Sequence, residues 1–346
     1  KDNAYGWILG GEDVALNAIF NITNHAIFNE IKLNNNNFTI GANARFEQIN
    51  LRYQSTHFHE EYINYDYYNP IYDTTYVNTD YHDNLLAGKL SMSYQFDSNS
   101  NVYLSISNGY KSGGVNQNPR LSEDNRLYKP EFNQNLDFGY KYKGQDSYLS
   151  LNIFYMLRND LQVNLSSQQD STNPNSFYFY TSNASDGYNC GLTLNFKHIY
   201  LDTFESYLNI GYLKTKINSY SYLEGENNLV TFDSREAAHA PLYTISCGFN
   251  KYYKNVSLGA DLIAKDKFYY SDSHNEQSKP YTLVNLNLVY QLNSDLNVSI
   301  WANNIFNTTY AIRGFYFGLE PPLYEDKLYL SYGEPFTIGL SLKYKF

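Results

Sequence analysis

The chain has 346 residues, a formal net charge of −10 and an aromatic content of 18%, with 38 Tyr and 21 Phe but only 2 Trp. This net charge disfavours nucleic acid as a partner. Mean hydropathy is −0.53. No apolar run approaches the ~20 residues of a membrane helix, whereas a membrane β-barrel escapes that criterion because its lipid-facing and lumen-facing residues alternate.

Apolar and polar residues alternate with a period of two along much of the chain, which predicts an all-β protein of about 14 strands. Between residues 37 and 53, for example, Phe38, Ile40 and Phe46 lie on one face and Thr39 on the other. Helical signals are nearly absent. The predicted strands cover residues 4–11, 24–33, 37–53, 85–97, 100–111, 131–143, 147–163, 183–198, 204–219, 241–252, 255–267, 280–292, 295–310 and 332–346.

The predicted connections alternate between tight and long. Asn, Asp, Gly and Ser dominate the tight ones, as hairpin turns require. A soluble β-sandwich has no reason to place every tight turn at one end, whereas an outer-membrane barrel combines short periplasmic turns with long external loops. The tight connections are 34–37, 97–101, 143–147, 200–203, 253–255 and 293–295, and the long ones are 54–84, 112–130, 164–182, 220–240, 268–279 and 311–331.

The final eleven residues, 336–346, give the clearest single strand. Apolar side chains, among them Leu340, Leu342, Tyr344 and Phe346, share one face, and residues such as Ser341 share the other. At ~3.3 Å per residue and a tilt of about 45°, the strand covers roughly 25 Å of height, about the apolar band of an outer-membrane barrel. A terminal aromatic residue suits the membrane interface.

Several segments together resemble one family. The segment 107–114, Ser-Asn-Gly-Tyr-Lys-Ser-Gly-Gly, resembles the "GYKSGG" segment of TonB-dependent outer-membrane receptors. Its glycines are expected where the backbone adopts positive φ as a strand leaves the membrane. Further matches follow in the family's order: Tyr-Lys-Pro-Glu at 128–131, Asp-Phe-Gly-Tyr-Lys at 137–141, Asn-Ala-Ser-Asp-Gly at 183–187, Asn-Asn-Ile-Phe-Asn-Thr-Thr-Tyr at 303–310 and Tyr-Gly-Glu-Pro-Phe at 332–336. We expect them to hold the barrel rim rather than to bind ligand.

The resemblance implies a barrel of about 22 strands plugged by an N-terminal domain. It implies residence in the outer membrane of a Gram-negative bacterium, lipid contact, and energy-coupled uptake of a scarce ligand such as a ferric siderophore through the TonB complex. Residues 1–346 look like the C-terminal barrel portion, because plug, coupling box and signal peptide are all missing, so we expect a processed or truncated start. The resemblance also implies that the outer-membrane assembly machinery reads the last strand, with Leu342, Tyr344 and Phe346 as its signal.

Other functions are kept as alternatives. The chain contains no GxSxG, HExxH, P-loop or dinucleotide-binding GxGxxG motif in a suitable setting, so we expect no enzyme activity and no cofactor. A complete passive pore of about 14 strands would show the same alternation. A surface adhesin could instead use Tyr-rich loops to bind a partner.

The predicted loop 54–84 is the candidate ligand mouth, because it is rich in Tyr, acids and His and contains no Lys or Arg. Tyr offers a large contact face with a polar tip, and clustered carboxylates favour a neutral or cationic ligand, or a metal complex. His57, His59 and Glu61 would share one strand face, within reach of a metal, although a plain solvated loop explains the composition as well. Basic residues on the next loop, among them Arg126, would oppose this preference. The candidate residues are His57, His59, Glu60, Glu61, Tyr62, Tyr65, Tyr67 and Tyr68.

Overall fold

The computed structural model describes residues 2–5, 12–61, 71–118, 121, 123–168, 177–224, 228–272, 274–317 and 327–345. Within these ranges, only the backbone is described at 2–5, 12–15, 59–61, 71–73, 166–168, 177–178, 222–224, 228–230 and 317.

One 14-stranded sheet forms the wall of the molecule. Its strands follow one another in chain order and each pairs antiparallel with the next, so the sheet is a simple up-and-down meander that confirms the all-β prediction. Its strands are β1 Asp2–Tyr5, β2 Glu12–Asn35, β3 Phe38–Glu61, β4 Ile71–Gln95, β5 Ser100–Lys111, β8 Glu131–Lys143, β9 Ser147–Asn159, β12 Gly187–Tyr200, β13 Phe204–Ile217, β16 Tyr243–Tyr253, β17 Val256–Lys265, β18 Tyr281–Gln291, β19 Leu296–Asn303 and β22 Thr337–Tyr344.

The long connections carry strands of their own, which the sequence did not predict. Four two-stranded hairpins and a short 3-10 helix at Glu123–Asn125 occupy four of these connections. None of the helices described is long and apolar enough to cross a membrane. The hairpins are β6 Gly114–Val115 with β7 Leu127–Tyr128, β10 Gln162–Gln168 with β11 Phe177–Asn183, β14 Tyr220–Glu224 with β15 Asn228–Phe232, and β20 Ala311–Phe317 with β21 Lys327–Tyr332.

One face of the main sheet is apolar and exposed, as lipid contact requires. Cross-strand register carries this face from strand to strand: Phe46 pairs with Leu86, and much further along the sheet Leu288 pairs with Ile300, which in turn pairs with Leu340. All five side chains are exposed. The opposite face bears mainly Asn, Ser, Thr and Gly, the composition expected of a barrel lumen.

Aromatic rings gather on the apolar face near the tight turns. Phe38 and Tyr94 lie 4.6 Å apart between ring centroids, and Phe204 lies 5.8 Å from Tyr200 and 5.5 Å from Phe249. Rows of aromatic residues at this height form the girdle typical of a membrane interface. The position of these rings is the one expected at the lower boundary of a lipid band.

Strand β22 has the two faces that alternation predicts. Ile338, Leu340, Leu342 and Tyr344 are 65%, 65%, 69% and 56% exposed, and all lie on the apolar face. On the other face the Trp301 ring lies over Gly339, so that a side chain there would collide with it. Phe346 lies outside the described residues.

The prediction of a loop over residues 54–84 was wrong. Strand β3 continues to Glu61 and β4 begins at Ile71, and their pairing is unbroken from Phe38–Tyr94 to Glu61–Ile71. Tyr- and Thr-rich sequence favours a strand, but both faces of this stretch carry polar residues above the lipid band. The apolar–polar contrast that marks a strand in lipid is therefore lost. We call the part of β2, β3 and β4 that extends beyond the lipid band the tall arm.

Other predicted boundaries shift for identifiable reasons. The predicted strand 147–163 breaks at Asp160 and the predicted strand 295–310 breaks at Asn304, where φ is 52° and 48°. A positive φ ends the extended backbone, and Asn and Asp are among the residues that tolerate it. Strand β2 begins at Glu12 rather than at 24, while residues 6–11 of the first predicted strand lie outside the described ranges.

We expect the two faces of β22 to tolerate charge differently. Leu340→Arg places a guanidinium in the lipid band and should cost about 2–4 kcal/mol of folding stability, whereas Ser341→Arg, on the lumen face, should cost far less. Urea titration of the folded protein in lipid vesicles measures the difference. Equal costs would contradict the assignment of faces.

Candidate functional site

The apolar core of the molecule lies among the long connections and against the tall arm. One cluster of buried side chains draws on the connections after β5, β9 and β13, and a second joins β3 and β4 of the tall arm to β6. We call the described parts of connections 112–130, 160–186, 218–242, 266–280 and 304–336 the loop collar. The first cluster comprises Leu121, Leu161, Val163, Leu165, Tyr180, Ala184, Ile217 and Tyr220, and the second Leu51, Tyr53, Tyr81 and Val115.

A buried arginine shapes the first connection of the collar. The Arg126 guanidinium donates to the carbonyls of Asn118 at 2.5 Å and of Leu121 at 2.7 Å. Burial lowers the pKa of this guanidinium. Because Arg126 is turned onto its own loop, it does not present its charge to a ligand, contrary to the sequence prediction that it would oppose the acidic residues.

Two glycines of the 107–114 segment are needed because neighbouring atoms lie too close to leave room for a side chain. A side chain at Gly113 would collide with the Tyr128 carbonyl and the Tyr81 hydroxyl, and one at Gly114 would collide with the Tyr128 ring. Neither glycine has positive φ, so the expectation of left-handed backbone was wrong. The segment instead brings the collar against the tall arm, where the Tyr53 hydroxyl donates to the Gln117 carbonyl at 2.9 Å.

Asn183 ties neighbouring connections of the collar together. Its amide donates to the carbonyls of Lys129 at 3.0 Å and Asp160 at 2.8 Å, and its oxygen accepts from the Lys129 amide at 2.7 Å. Asn116 does the same with Thr181, donating to its carbonyl at 2.7 Å and accepting from its amide at 2.9 Å. These bonds satisfy backbone groups that strand pairing leaves open.

An ion pair between a half-buried arginine and a buried carboxylate supports the start of β8. Arg158 Nη2 and Nε donate to Glu131 Oε1 at 2.6 and 2.8 Å, and Glu131 Oε2 accepts from the Gln162 amide at 3.0 Å. Sequence reasoning missed this pair because its partners are 27 residues apart. The proximity of these two residues can be inferred only once the register of β8 and β9 is known.

A second ionic cluster joins β3 to β5. Buried Glu47 accepts from Arg45 Nη2 at 2.6 Å and from the Tyr110 hydroxyl at 2.5 Å. Arg45 and Glu47 are two residues apart on one strand, so the period of two places them on the same face. That spacing was the one feature of the sequence that could have indicated this cluster. Its third member, Tyr110, belongs to the 107–114 segment.

Arg235 links the later connections of the collar. Its Nη2 donates to the carbonyls of Ser271 at 3.1 Å and His274 at 2.6 Å, and its guanidinium lies 4.4 Å from the centre of the Tyr269 ring. His274 in turn stacks on Tyr316 at 3.6 Å between centroids. The collar thus continues from residue 218 to the β20–β21 hairpin.

The rim motif at 303–310 is structural, as predicted. Asn304 is buried, and its side chain donates to the Thr308 and Glu334 carbonyls at 2.9 and 3.1 Å and accepts from the Thr308 amide at 2.8 Å. Its own amide donates to Asn285 Oδ1 at 2.9 Å. Asn304 therefore holds the end of β19 against β18 and the start of β22.

Of the residues predicted to form the ligand mouth, the structure describes the side chain of His57 alone. His57 is 3% exposed and lies on the face of β3 that the collar covers, so its imidazole does not line an open mouth. For His59, Glu60 and Glu61 only the strand backbone is described. Tyr62, Tyr65, Tyr67 and Tyr68 lie outside the described residues. Among the residues that are described, no group of three His, Cys, Asp or Glu side chains could hold a metal ion.

Comparison with known proteins identifies the family that has this architecture. The sequence profile described as "TonB dependent receptor-like, beta-barrel" matches residues 3–305. The chain belongs to this family. Its location is therefore the outer membrane of a Gram-negative bacterium, and the family consists of receptors and transporters rather than enzymes.

Similar proteins extend the comparison. The pesticin receptor of Yersinia pestis is 24% identical over 237 residues, which cover 68% of this chain and 33% of the receptor. The solved structure of the ferric yersiniabactin uptake receptor FyuA from Yersinia pestis has a TM-score of 0.74 at 18% identity, covering 97% of this chain and 47% of that one. The ferric-catecholate import receptor Fiu from E. coli has a TM-score of 0.64 at 16% identity, covering 97% and 45%.

The chain is shorter than these relatives. It spans about a third of the curated receptors and about half of the solved ones. The structural likeness to FyuA and Fiu establishes the fold of this chain.

We expect Asn183→Ala to loosen the collar without unfolding the sheet. The substitution leaves the backbone groups of Lys129 and Asp160 without partners, at about 1–3 kcal/mol of local stability. Hydrogen exchange over 112–130 and 160–165 should accelerate, while exchange in β12 and β13 stays unchanged. Asn195→Ala, which removes an exposed asparagine of β12, is the matched control, and equal exchange in both variants would contradict the role of Asn183.

Proposed function

We propose that the chain is the C-terminal barrel portion of a longer receptor that takes up a ferric siderophore or a similar metal complex. Energy would come from the TonB complex through a plug domain that lies outside this chain. The observation that carries the proposal is the loop collar, which assembles several long connections at one end of a family barrel. Selective capture of a scarce ligand needs such a preorganised surface at the outer end of the lumen.

The relatives support the same class of ligand. FyuA is named as a ferric yersiniabactin uptake receptor, and Fiu as a ferric-catecholate import receptor. Both are ferric complexes, although the two siderophores differ in chemistry. The shared feature is the class of cargo rather than one compound.

A passive pore of 14 strands is the weaker candidate. Strands β1 and β22 form the two edges of the described sheet and do not pair with each other. Lipid offers no hydrogen-bond partner to a bare edge, so a barrel must close. Pairing of these edges with further strands of a longer chain satisfies that requirement.

The tip of the tall arm is the proposed ligand mouth. The described parts of β3 and β4 extend well beyond the lipid band, and the sequence that joins them, residues 62–70, is rich in Tyr and follows Glu60 and Glu61. Tyr81, lower on the arm, donates to Asp83 Oδ2 at 2.6 Å, and burial with this bond raises the pKa of the Tyr81 hydroxyl. The acidic composition favours a neutral or cationic ligand over an anionic one.

The last strand is the proposed signal for assembly. Leu342 and Tyr344 are exposed on the lipid face of β22, next to the terminal Phe346. An unpaired edge with a regular row of apolar side chains offers the assembly machinery both backbone groups and side chains to bind.

Energy-coupled uptake is the first test. The full-length protein is expressed in a strain without its own siderophore receptors, and uptake of radioactive iron is measured with ferric yersiniabactin and with a ferric catecholate. We expect accumulation of one complex in cells with an intact TonB system, and none in cells that lack TonB. Equal entry with and without TonB would support the passive pore instead.

Shortening the tall arm tests the mouth. Replacing 62–70 by a two-residue Asn-Gly turn, which suits a hairpin, should weaken binding of the transported ferric complex by about tenfold, or about 1.4 kcal/mol. The matched control replaces 225–227, the sequence that joins β14 to β15, and heat modifiability on gels verifies barrel assembly in both. Unchanged affinity after removal of 62–70 would eliminate the tip as a binding element.

A further inference from the structure

The outer face of the tall arm changes character abruptly above the lipid band. Along β3 the face reads Phe38, Ile40, Ala42, Ala44 and Phe46, and then turns polar for the next four outward positions. Register places polar partners beside all four on β4 and beside the first three on β2, whereas Gln54 pairs with the exposed Ile19 on β2. We call this surface the polar panel: His25, Thr23 and Asn21 on β2, Gln48, Asn50, Arg52 and Gln54 on β3, and Asn84, His82, Asp80 and Asn78 on β4.

The panel faces away from the lumen and from the collar. Its residues lie on the same strand face as the lipid-facing Phe46 and Leu86, because the period of two is unbroken through the arm. The collar covers the opposite face, where Leu51 and Tyr53 are buried. The panel side chains are exposed, apart from Asn50, which is half-buried.

Cross-strand contacts hold the panel in a fixed arrangement. Arg52 Nε donates to Asp80 Oδ1 at 2.7 Å, and His82 Nδ1 lies 2.8 Å from Asn50 Oδ1. In the next row Gln54 Nε2 donates to Asn78 Oδ1 at 3.2 Å. Paired side chains lose less conformational freedom when a ligand binds, so the panel is partly preorganised.

The panel's chemistry matches sugar hydroxyls. Each Asn and Gln amide offers both donors and acceptors, as a hydroxyl-rich ligand requires. One row higher on the same face, Tyr76 is 75% exposed and offers a flat apolar surface. The panel contains no lysine, and its arginine is neutralised by Asp80, so it lacks the free cations that phosphate recognition uses.

The panel's height identifies the source of the sugar. Its first row begins two residues beyond Phe46, or roughly 7 Å along the strand, and its last row lies about 26 Å along. That span continues the lipid interface outward into the head-group layer. We infer that the polar panel binds the saccharide head group of the outer-leaflet glycolipid, lipopolysaccharide, through its core sugars rather than through its phosphates.

Binding to two glycolipids tests the inference. The full-length protein in detergent is titrated with purified lipopolysaccharide that carries a complete core, and with a form that ends at lipid A and its first sugars. Asn50→Ala with His82→Ala removes two side chains that contact each other, so neither leaves the other without a partner. We expect affinity for the complete-core form to fall by about fivefold, consistent with the loss of one or two net hydrogen bonds.

Two controls define the result. Ser98→Ala with Asn99→Ala removes a similar polar pair, with an Oγ–Oδ1 distance of 3.2 Å, from a tight turn at the other end of the barrel, and should change nothing. Affinity for the core-less form should also be unchanged, and the difference should persist in about 0.5 M NaCl, where charge contacts are screened. Three outcomes would each overturn the inference. The variant could lose affinity for the core-less form as well, the loss of affinity could disappear at high salt, or the variant and the native protein could bind the complete-core form equally well.

The orientation is tested separately. A cysteine at Asn84 should react with an impermeant thiol reagent on intact cells, and one at Ser98 should not; the reverse would place the panel in the periplasm and overturn the inference. Because the panel lies outside the mouth, siderophore uptake by the Asn50→Ala, His82→Ala variant should equal that of the native protein. Failure of uptake in the native protein would contradict the proposed function and leave the glycolipid result standing.

Discussion

Lipid offers no hydrogen-bond partners to the backbone, and this constraint determines the wall of the molecule. Every strand in the wall pairs with the next strand of the main sheet, and the side chains exposed on one face are apolar, as strands in hydrocarbon require. The meander order is the simplest way to satisfy the backbone when each connection only has to turn the chain around. The apolar face is continuous because the register keeps lipid-facing residues opposite each other, from Phe46 with Leu86 to Ile300 with Leu340.

Above the lipid band the same backbone groups find other partners. In the collar, Arg126, Asn183, Arg235 and Asn304 all donate to main-chain carbonyls. A side chain that makes several such bonds fixes two or three loop segments at once, which explains how long connections pack around small apolar clusters. Neighbouring connections of the described collar are therefore fastened to one another, as Asn183 fastens 112–130 to 160–186 and Arg235 fastens 218–242 to 266–280.

The sequence predicts the wall well and the collar poorly. Period-two alternation located the strands of the main sheet, because lipid on one side and a polar lumen on the other give a strong contrast. The tall arm was missed beyond the predicted strand end at residue 53, where Gln54 and Thr56 on one face and Ser55 and His57 on the other are all polar, although the strand continues to Glu61. Contacts such as Arg158 with Glu131 depend on register between strands, which local pattern does not reveal.

The abundance of Asn follows from its several uses in one fold. At Asn36 and Asn304 it adopts positive φ of 49° and 48° just past the end of a strand, and at Asn307 it adopts a φ of 50° in the connection that follows β19; most residues would be strained at these angles. At Asn183 it replaces a backbone partner, and at Asn50 it faces outward beside His82. A single neutral side chain that both donates and accepts can therefore terminate strands, fasten loops and present an uncharged polar surface. An acidic chain that filled these positions with ions would have to desolvate each charge, whereas amides avoid that cost.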